Sequence, residues 1–331
     1  MRKNIIFILV PVFVVLIAFA IWVYINFRGP GVGTERERFV VRLDSSEEQV
    51  VDDLLSGGFL KNKTVFNFIL SIKGWHKKIE PGGYMVDKKM NAYQLAGTLV
   101  YGPYQKWVVI PPGKRKEQVA LIIQRTLNWP FSLTRSFINV AEEGYLYPDT
   151  YLINIDSDPQ EIVQKLKNNF NEKFNSRLQE DLLRQNIRND TALKIASLIE
   201  RESGGAEDKP IISGIIWNRL NKGMRLEIDA TVQYAIVSGQ LDDSGLQSLE
   251  NFNFWPTLGA GIVRTINSPY NTYQIKALPP GPICSPGIDS LRAVAYPAET
   301  EAFYYLHSPD RQIHTAKTFK EHQENIIKYL Q

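Results

Sequence analysis

Glu202 lies near the end of the segment ALKIASLIERES, residues 192–203, where its type and spacing could support acid–base chemistry. The segment has helical periodicity. At about 100° per residue, Glu202 shares a side with Ile195, Leu198 and Ile199, and Lys194, Ser197 and Arg201 take the other. Gly204 and Gly205 stop the helix just beyond it. Apolar surroundings disfavour a carboxylate's charged form and raise its pKa, so such a group can stay protonated and act as a general acid. From this segment alone a plainer reading stands ahead of it: a helix-end glutamate that is solvated, or paired with Arg201 or Arg219. Glu200 lies two residues back, a spacing that turns it to another side of the helix, so the two glutamates do not form a pair on one wall.

The elements around this helix must position any such site. Pro210–Lys222 reads as a second helix, with Ile211, Ile215 and Ile216 inward and Asn218 and Arg219 near its end. In MRLEIDATVQYAI (224–236), Asp229 has the character of an N-cap for a helix through Tyr234. Residues 238–262 read as a polar, glycine-containing loop. SPYNTY (268–273) and the proline-rich LPPGPICSPG (278–287) read as ordered turns. A short helix at 289–295, a strand at 303–306 and a terminal helix at 318–330 complete the region.

Upstream, residues 39–43 read as a strand, and Ser45 with Glu48 has capping-box spacing for the helix that follows. Helices near 64–71, 90–100 and 116–127 alternate with extended segments at IEPGGYMV and 107–110. This small α+β region shows no reaction chemistry and reads as a binding or spacer module. EEGYLYPDTYLI (142–153) is a groove-lining turn or an aromatic hinge, with Glu143 and Asp149 read as structural. Residues 159–188 read as one long helix with an apolar stripe from Ile162 to Leu182.

Composition sets the outer bounds. The 331 residues leave room for two domains. With 38 Lys and Arg against 35 Asp and Glu, the balance gives no reason to expect nucleic acid. Cys284 is the sole cysteine, so no intramolecular disulfide or cysteine zinc cluster can form. The four histidines lack the HExxH pairing, and no metal is expected. Ile5–Ile25 holds 21 uncharged residues, about 32 Å as a helix, and ends near Trp22 and Tyr24. A cleaved signal has a shorter apolar region ending in small residues, so a retained membrane anchor is expected. Arg2 and Lys3 argue for a cytoplasmic N-terminus against the opposing charges of Arg28, Arg36 and Arg38, and residues from about 30 are then expected outside the cytoplasm.

GYLYPDTY, IASLIERESG, NRLNKGMRLEIDATVQYA, INSPYNTY, ALPPGPICSPGIDSLRAV and the HT…EH tail occur in one order and spacing. In this the chain resembles the YceG-like family. The resemblance implies an α+β protein: an anchor (1–29), a linker (30–36), a LysM-like α+β domain (37–130), a connecting region with a long helix (131–189), and a mixed α/β catalytic domain with a lytic-transglycosylase-like helical site (190–331). It also implies that Glu202, followed by Ser203, is the catalytic acid. The implied reaction is endolytic cleavage of the MurNAc–GlcNAc β-1,4 bond of peptidoglycan without water, forming 1,6-anhydroMurNAc ends. It would terminate nascent strands at the cytoplasmic membrane, without a cofactor and beside penicillin-binding synthases. Glu227, Pro112 and Ala316 depart from the family's usual pattern. Amide, hydroxyl and aromatic groups suit neutral sugars, and the groove residues expected are Ser203, Asn218, Gln233, Tyr234, Ser268, Tyr270, Asn271, Thr272 and Tyr273. Two rivals stand beside this reading. One is a muramidase using Asp229 as a second carboxylate. The other is an anchored, non-catalytic peptidoglycan-binding scaffold.

Overall fold

The computed structural model describes residues 2–31, 35–244, 252–259 and 261–330, with side chains described from Val10 onward except at 242–244. It is a mixed α+β chain that separates into two units, residues 1–107 with 152–156, and residues 108–151 with 157–331.

In the first unit, α1 (Arg2–Phe27) carries the apolar run, and none of its Val10–Phe27 window is buried. Next come β1 (Glu37–Val41), α2 (Glu47–Ser56), α3 (Lys63–Lys73) and β2 (Gly82–Val86). β1 and β2 pair antiparallel with Phe39 opposite Tyr84. Alternation turns Phe39 and Val41 inward onto Val50, Val51 and Leu54 of α2. The capping box of α2 falls one residue later than expected, on Ser46 and Gln49. α3 starts on an Asn62 cap and ends at Gly74, whose φ of 62° permits the left-handed turn. α4 (Ala92–Val100) packs on β2, and β3 (Gln105–Val109) begins in this unit. A further strand, β4 (Thr150–Asn154), was not foreseen from sequence. The sheet order is β1-β2-β3-β4.

The second unit is built around α9 (Asn189–Glu202). Ala192, Leu193 and every residue from Ile195 to Ile199 are buried, Ser197 included, so the helix is enclosed nearly all round. The wheel's polar side is therefore a packed side. Ser197 Oγ accepts from the Ile283 amide at 3.1 Å, which satisfies it inside the core. Around α9 lie α8 (Ser176–Arg184), α10 (Asp208–Asn221), α11 (Asp229–Ser244) and α12 (Ile288–Ala295). α5 (Lys116–Leu127) and α6 (Phe131–Val140) pack on each other, and α7 (Pro159–Lys173) packs on α6. A hairpin of β5 (Tyr304–His307) and β6 (Ile313–Ala316) is covered by α13 (Phe319–Leu330).

Two sequence expectations differ from this arrangement. The long helix expected at 159–188 is two helices, because Asn175 caps α8 and accepts from the Leu178 amide at 3.2 Å. Its stripe stays continuous in the core through Phe170, Phe174, Leu178 and Leu182. The two units divide at 107/108. Arg115 and Glu117, at the start of α5, lie among groups of the second unit. α11 runs past Tyr234 to Ser244, into the segment expected as a loop. Residues 245–251 and 260 of that insertion lie outside the described residues.

Candidate functional site

Glu202 is the last residue of α9 and is half-buried. Tyr305 of β5 donates its phenolic proton to Glu202 Oε2 at 2.6 Å. Burial is the main influence on the carboxyl and raises its pKa. The Tyr305 hydrogen bond, His307 and Arg201 pull the other way, and the Asp229 carboxylate adds to the rise. The net direction is upward, which favours a protonated acid. Glu200 turns elsewhere. It pairs with Lys209 at 3.1 Å and accepts from the Gly287 amide at 3.0 Å and Ser290 Oγ at 2.6 Å. This glutamate fastens α9 to α10 and α12.

Tyr305 depends on the end of α10 for its place. Asn218 Nδ2 donates to the carbonyls of Thr300 and Ala302, at 2.7 and 3.0 Å. Arg219 Nε donates to the Phe303 carbonyl at 2.6 Å, and its Nη1 to that of Leu226 at 2.5 Å. These bonds hold the segment entering β5. On a strand, alternate residues share a face, so Tyr305 and His307 project together. His307 Nε2 lies 3.0 Å from Asp208 Oδ2, which also accepts from the Gly204 amide at 3.0 Å and fixes the turn after Glu202.

The opposite side comes from α11 and the SPYNTY loop. Asp229 opens α11, is exposed, and accepts from Tyr273 Oη at 2.7 Å. Thr272 staples the loop to that helix start. Its Oγ1 accepts from the Ile228 amide at 2.9 Å and meets Thr231 Oγ1 at 2.9 Å. Asn271 ties the loop to itself through the carbonyls of Val263 and Ile266, at 2.8 and 2.7 Å, and accepts from the Tyr273 amide at 3.0 Å.

The expected groove residues thus fall into two sets. Ser203, Gln233, Ser268, Tyr270 and Tyr273 are partly exposed. Ser268 Oγ accepts from the Tyr270 amide at 3.2 Å, and Gln233 Nε2 donates to the Pro256 carbonyl at 3.0 Å. Asn271 and Thr272 are fully buried, and Asn218 spends its amide on backbone carbonyls. Those three fix backbone, because their polar atoms are already matched inside the fold. Tyr234 is buried at 8% exposure, with its ring 4.8 Å from that of Tyr270 and 4.1 Å from the Arg115 guanidinium.

Sequence reasoning missed Tyr305, His307 and Asp208 as neighbours of Glu202, and missed the charged cluster at the start of α5. There Arg115 pairs with Glu117 at 3.1 Å, and Glu143 accepts from the Lys116 amide on both oxygens, at 3.2 and 3.3 Å. Burial and then the Glu117 carboxylate raise the Glu143 pKa. Glu143 thus meets one of the amides that a helix start leaves unpaired.

The chain is 27% identical over 319 residues to an endolytic murein transglycosylase of Bacillus subtilis, covering 86% of this chain and 82% of that protein. A protein of the same name from Streptococcus pneumoniae serotype 2 is 24% identical over 330 residues, and the match spans 57% of its length. A crystal structure of a YceG-like protein from Listeria monocytogenes shares the fold, with a TM-score of 0.55 at 24% identity over 88% of this chain and 99% of that one. The family model described as YceG-like matches residues 39–328, nearly the whole chain beyond α1, and the chain belongs to that family.

Proposed function

We propose that this protein is an endolytic murein transglycosylase, a lyase acting on peptidoglycan, with Glu202 as its acid and then its base. The observation that carries the reading is the state of Glu202: half-buried, raised in pKa, and engaged on one oxygen by Tyr305. With Oε2 occupied by the Tyr305 proton, Oε1 is the atom free to carry and donate the acidic proton. Glu202 protonates the glycosidic oxygen between MurNAc and GlcNAc, and the C1–O bond breaks. Positive charge develops on the sugar ring. The resulting carboxylate takes the proton of the MurNAc 6-hydroxyl, whose oxygen attacks C1 and closes the 1,6-anhydro ring. An internal hydroxyl close to C1 replaces the activated water that a hydrolase requires.

Asp229, held by Tyr273, supplies negative charge that stabilises the cationic sugar. Ser203, Gln233, Ser268, Tyr270 and Tyr273 line the sugar path, and Asn218, Asn271, Thr272 and Tyr234 hold the walls in place. The same Asp229 favours a second reading, a two-carboxylate muramidase that directs water to C1. Mass spectrometry of strands digested by the full chain separates the two. Anhydro ends are expected from wild type, and about 10³-fold more slowly from Glu202→Gln. Reducing MurNAc ends, heavier by one water, would make the enzyme a hydrolase.

The remaining parts of the proposal concern the first unit. Its β1-α2-α3-β2 order with antiparallel strands supports a LysM-like module. A cavity of about 620 Å³ in the same unit is lined by Trp75, Tyr93 and Tyr101, rings suited to sugar faces. The unburied apolar helix α1 supports a single-pass anchor, and Arg2 and Lys3 before it support an orientation with the second unit outside the cytoplasm, where new strands emerge. Work beside penicillin-binding synthases rests on the family resemblance alone.

A further inference from the structure

Arg201 immediately precedes the acid in the last turn of α9, about 100° around the helix from it. Its guanidinium lies 3.9 Å from the ring centre of Trp255, a cation–π stack. Its Nε is buried with no hydrogen-bond partner, and the carboxylates of Glu202 and Glu200 act on the guanidinium only through their charge. The other buried cations near the site are fully engaged: Arg115 by Glu117 and Ser238, Arg219 by two carbonyls, and Lys209 by Glu200. Buried donors without partners are rare, so Arg201 Nε is an exception inside the fold, and the terminal nitrogens of this half-buried side chain are the ones left to meet a ligand.

Trp255 does not need Arg201 to hold it. Its indole N–H donates to Gln118 Oε1 at 3.1 Å, the preceding Phe254 is buried, and Gln233 holds the following Pro256 carbonyl at 3.0 Å. Gln233 is one helical turn along α11 from Asp229, on the same face. Arg201 and Trp255 therefore occupy the Gln233 side of the site, and Tyr273 and Tyr305 the Asp229 side. A planar guanidinium clamped on a fixed ring keeps its hydrogen-bonding edge oriented, the arrangement that suits a planar carboxylate.

We infer that Arg201 on its Trp255 platform is a subsite for a carboxylate of the peptidoglycan stem peptide, next to the scissile bond. This inference rests on the proposed substrate. The glycan backbone itself is neutral where MurNAc carries a peptide, because the lactyl group is then an amide, so the peptide's carboxylates are the anions available. The subsite makes the enzyme prefer strands that bear acidic peptides over strands whose peptide carboxylates are capped.

The test uses the full chain in detergent and two substrates: peptide-bearing strands, and the same strands with carboxylates converted to amides. Binding is measured in the Glu202→Gln background, so the readout does not depend on turnover. Glu202→Gln is expected to bind the native strands about tenfold more tightly than the amidated ones. Adding Arg201→Gln brings that ratio to near one, and Arg201→Lys, which keeps a cation on the ring, retains several-fold preference. Equal binding of both substrates by Glu202→Gln, or a ratio that survives Arg201→Gln, overturns the inference. A wild type that binds with this preference yet makes no anhydro ends would leave the subsite standing and refute the lyase reading instead.

Discussion

The phenolic oxygen of Tyr305 lies 2.6 Å from Glu202 Oε2, across 103 residues of sequence. One neighbour thus fixes the rotamer of the proposed acid, selects the oxygen that carries the proton, and tempers the rise in pKa that burial imposes. A hydrogen bond to the charged form of a carboxyl favours that form.

Tyr305→Phe should raise the Glu202 pKa further, since the bond it removes stabilises the carboxylate. The acid must be protonated to donate, so the alkaline limb of the kcat/KM profile reports this group. That limb is expected to move to higher pH. Loss of orientation should lower kcat by about tenfold. An unmoved limb would remove Tyr305 from the description of the acid.

Asp229→Asn has the opposite sign. The Asp229 carboxylate raises the Glu202 pKa by like-charge repulsion, so neutralising it should move the alkaline limb to lower pH. Products should remain anhydro ends at a reduced rate. A complete loss of turnover with wild-type pH behaviour in the residual binding would favour the water-activating role.

Glu202→Gln keeps the shape of the acid and removes its proton. The rate of anhydro-end formation should fall by about 10³-fold, within the range for general acid–base groups. The melting temperature should hold or rise, because a partly buried ionisable group becomes a neutral amide. Strand-end analysis and thermal denaturation check the two halves together.

Lys209→Met tests the buried brace on the other glutamate. Lys209 and Glu200 are 12% and 8% exposed and 3.1 Å apart. Removing one partner leaves a buried charge unpaired, at a cost of about 3 kcal/mol. The transition of the second unit should fall by about 10 °C. A change of less than a degree would mean that the Gly287 and Ser290 bonds hold Glu200 unaided.

Gly144→Ala addresses the EEGYLYPDTY segment. Gly144 has a φ of 88°, and a methyl group there would lie 2.5 Å from Pro282 Cγ of the proline-rich turn. Both strain and collision are expected, and the variant should lose about 2 kcal/mol or more of stability. Chemical denaturation would show it as a lower midpoint with an unchanged slope.

Much of the fold was legible along the chain. α5 begins and ends where periodicity placed it, at Lys116 and Leu127, and the βααβ start of the first unit follows its alternation and caps. Boundaries slipped where two local signals competed. Ser45 and Ser46 both suit a cap, and only the reciprocal Gln49 bond decides between them. Asn175 capped a second helix inside a stripe that periodicity reads as continuous, because the stripe lies in the core whether or not the backbone breaks. The strand β4 was missed because its TYLIN pattern sits behind a tyrosine-rich turn that hides the alternation.

At the site, the sequence by itself determined that a glutamate closes an apolar helix, and that Glu200 and Glu202 face different ways. Helical geometry requires both, since two residues span about 200°. What surrounds each of them was decided by tertiary structure alone. Ser197 and Arg201 share a side on the wheel, yet one is sealed in the core against Ile283 and the other lies against an indole from a distant segment. Tyr305, His307 and Asp229 reach the vicinity of Glu202 through a hairpin and a helix start that local periodicity cannot bring together. Asn271 and Thr272 have side chains suited to sugars, but their hydrogen bonds are consumed in fixing the loop. Residue type limits what a side chain can do. Burial and neighbours, which depend on the packing of elements far apart in the chain, decide which of those things it does.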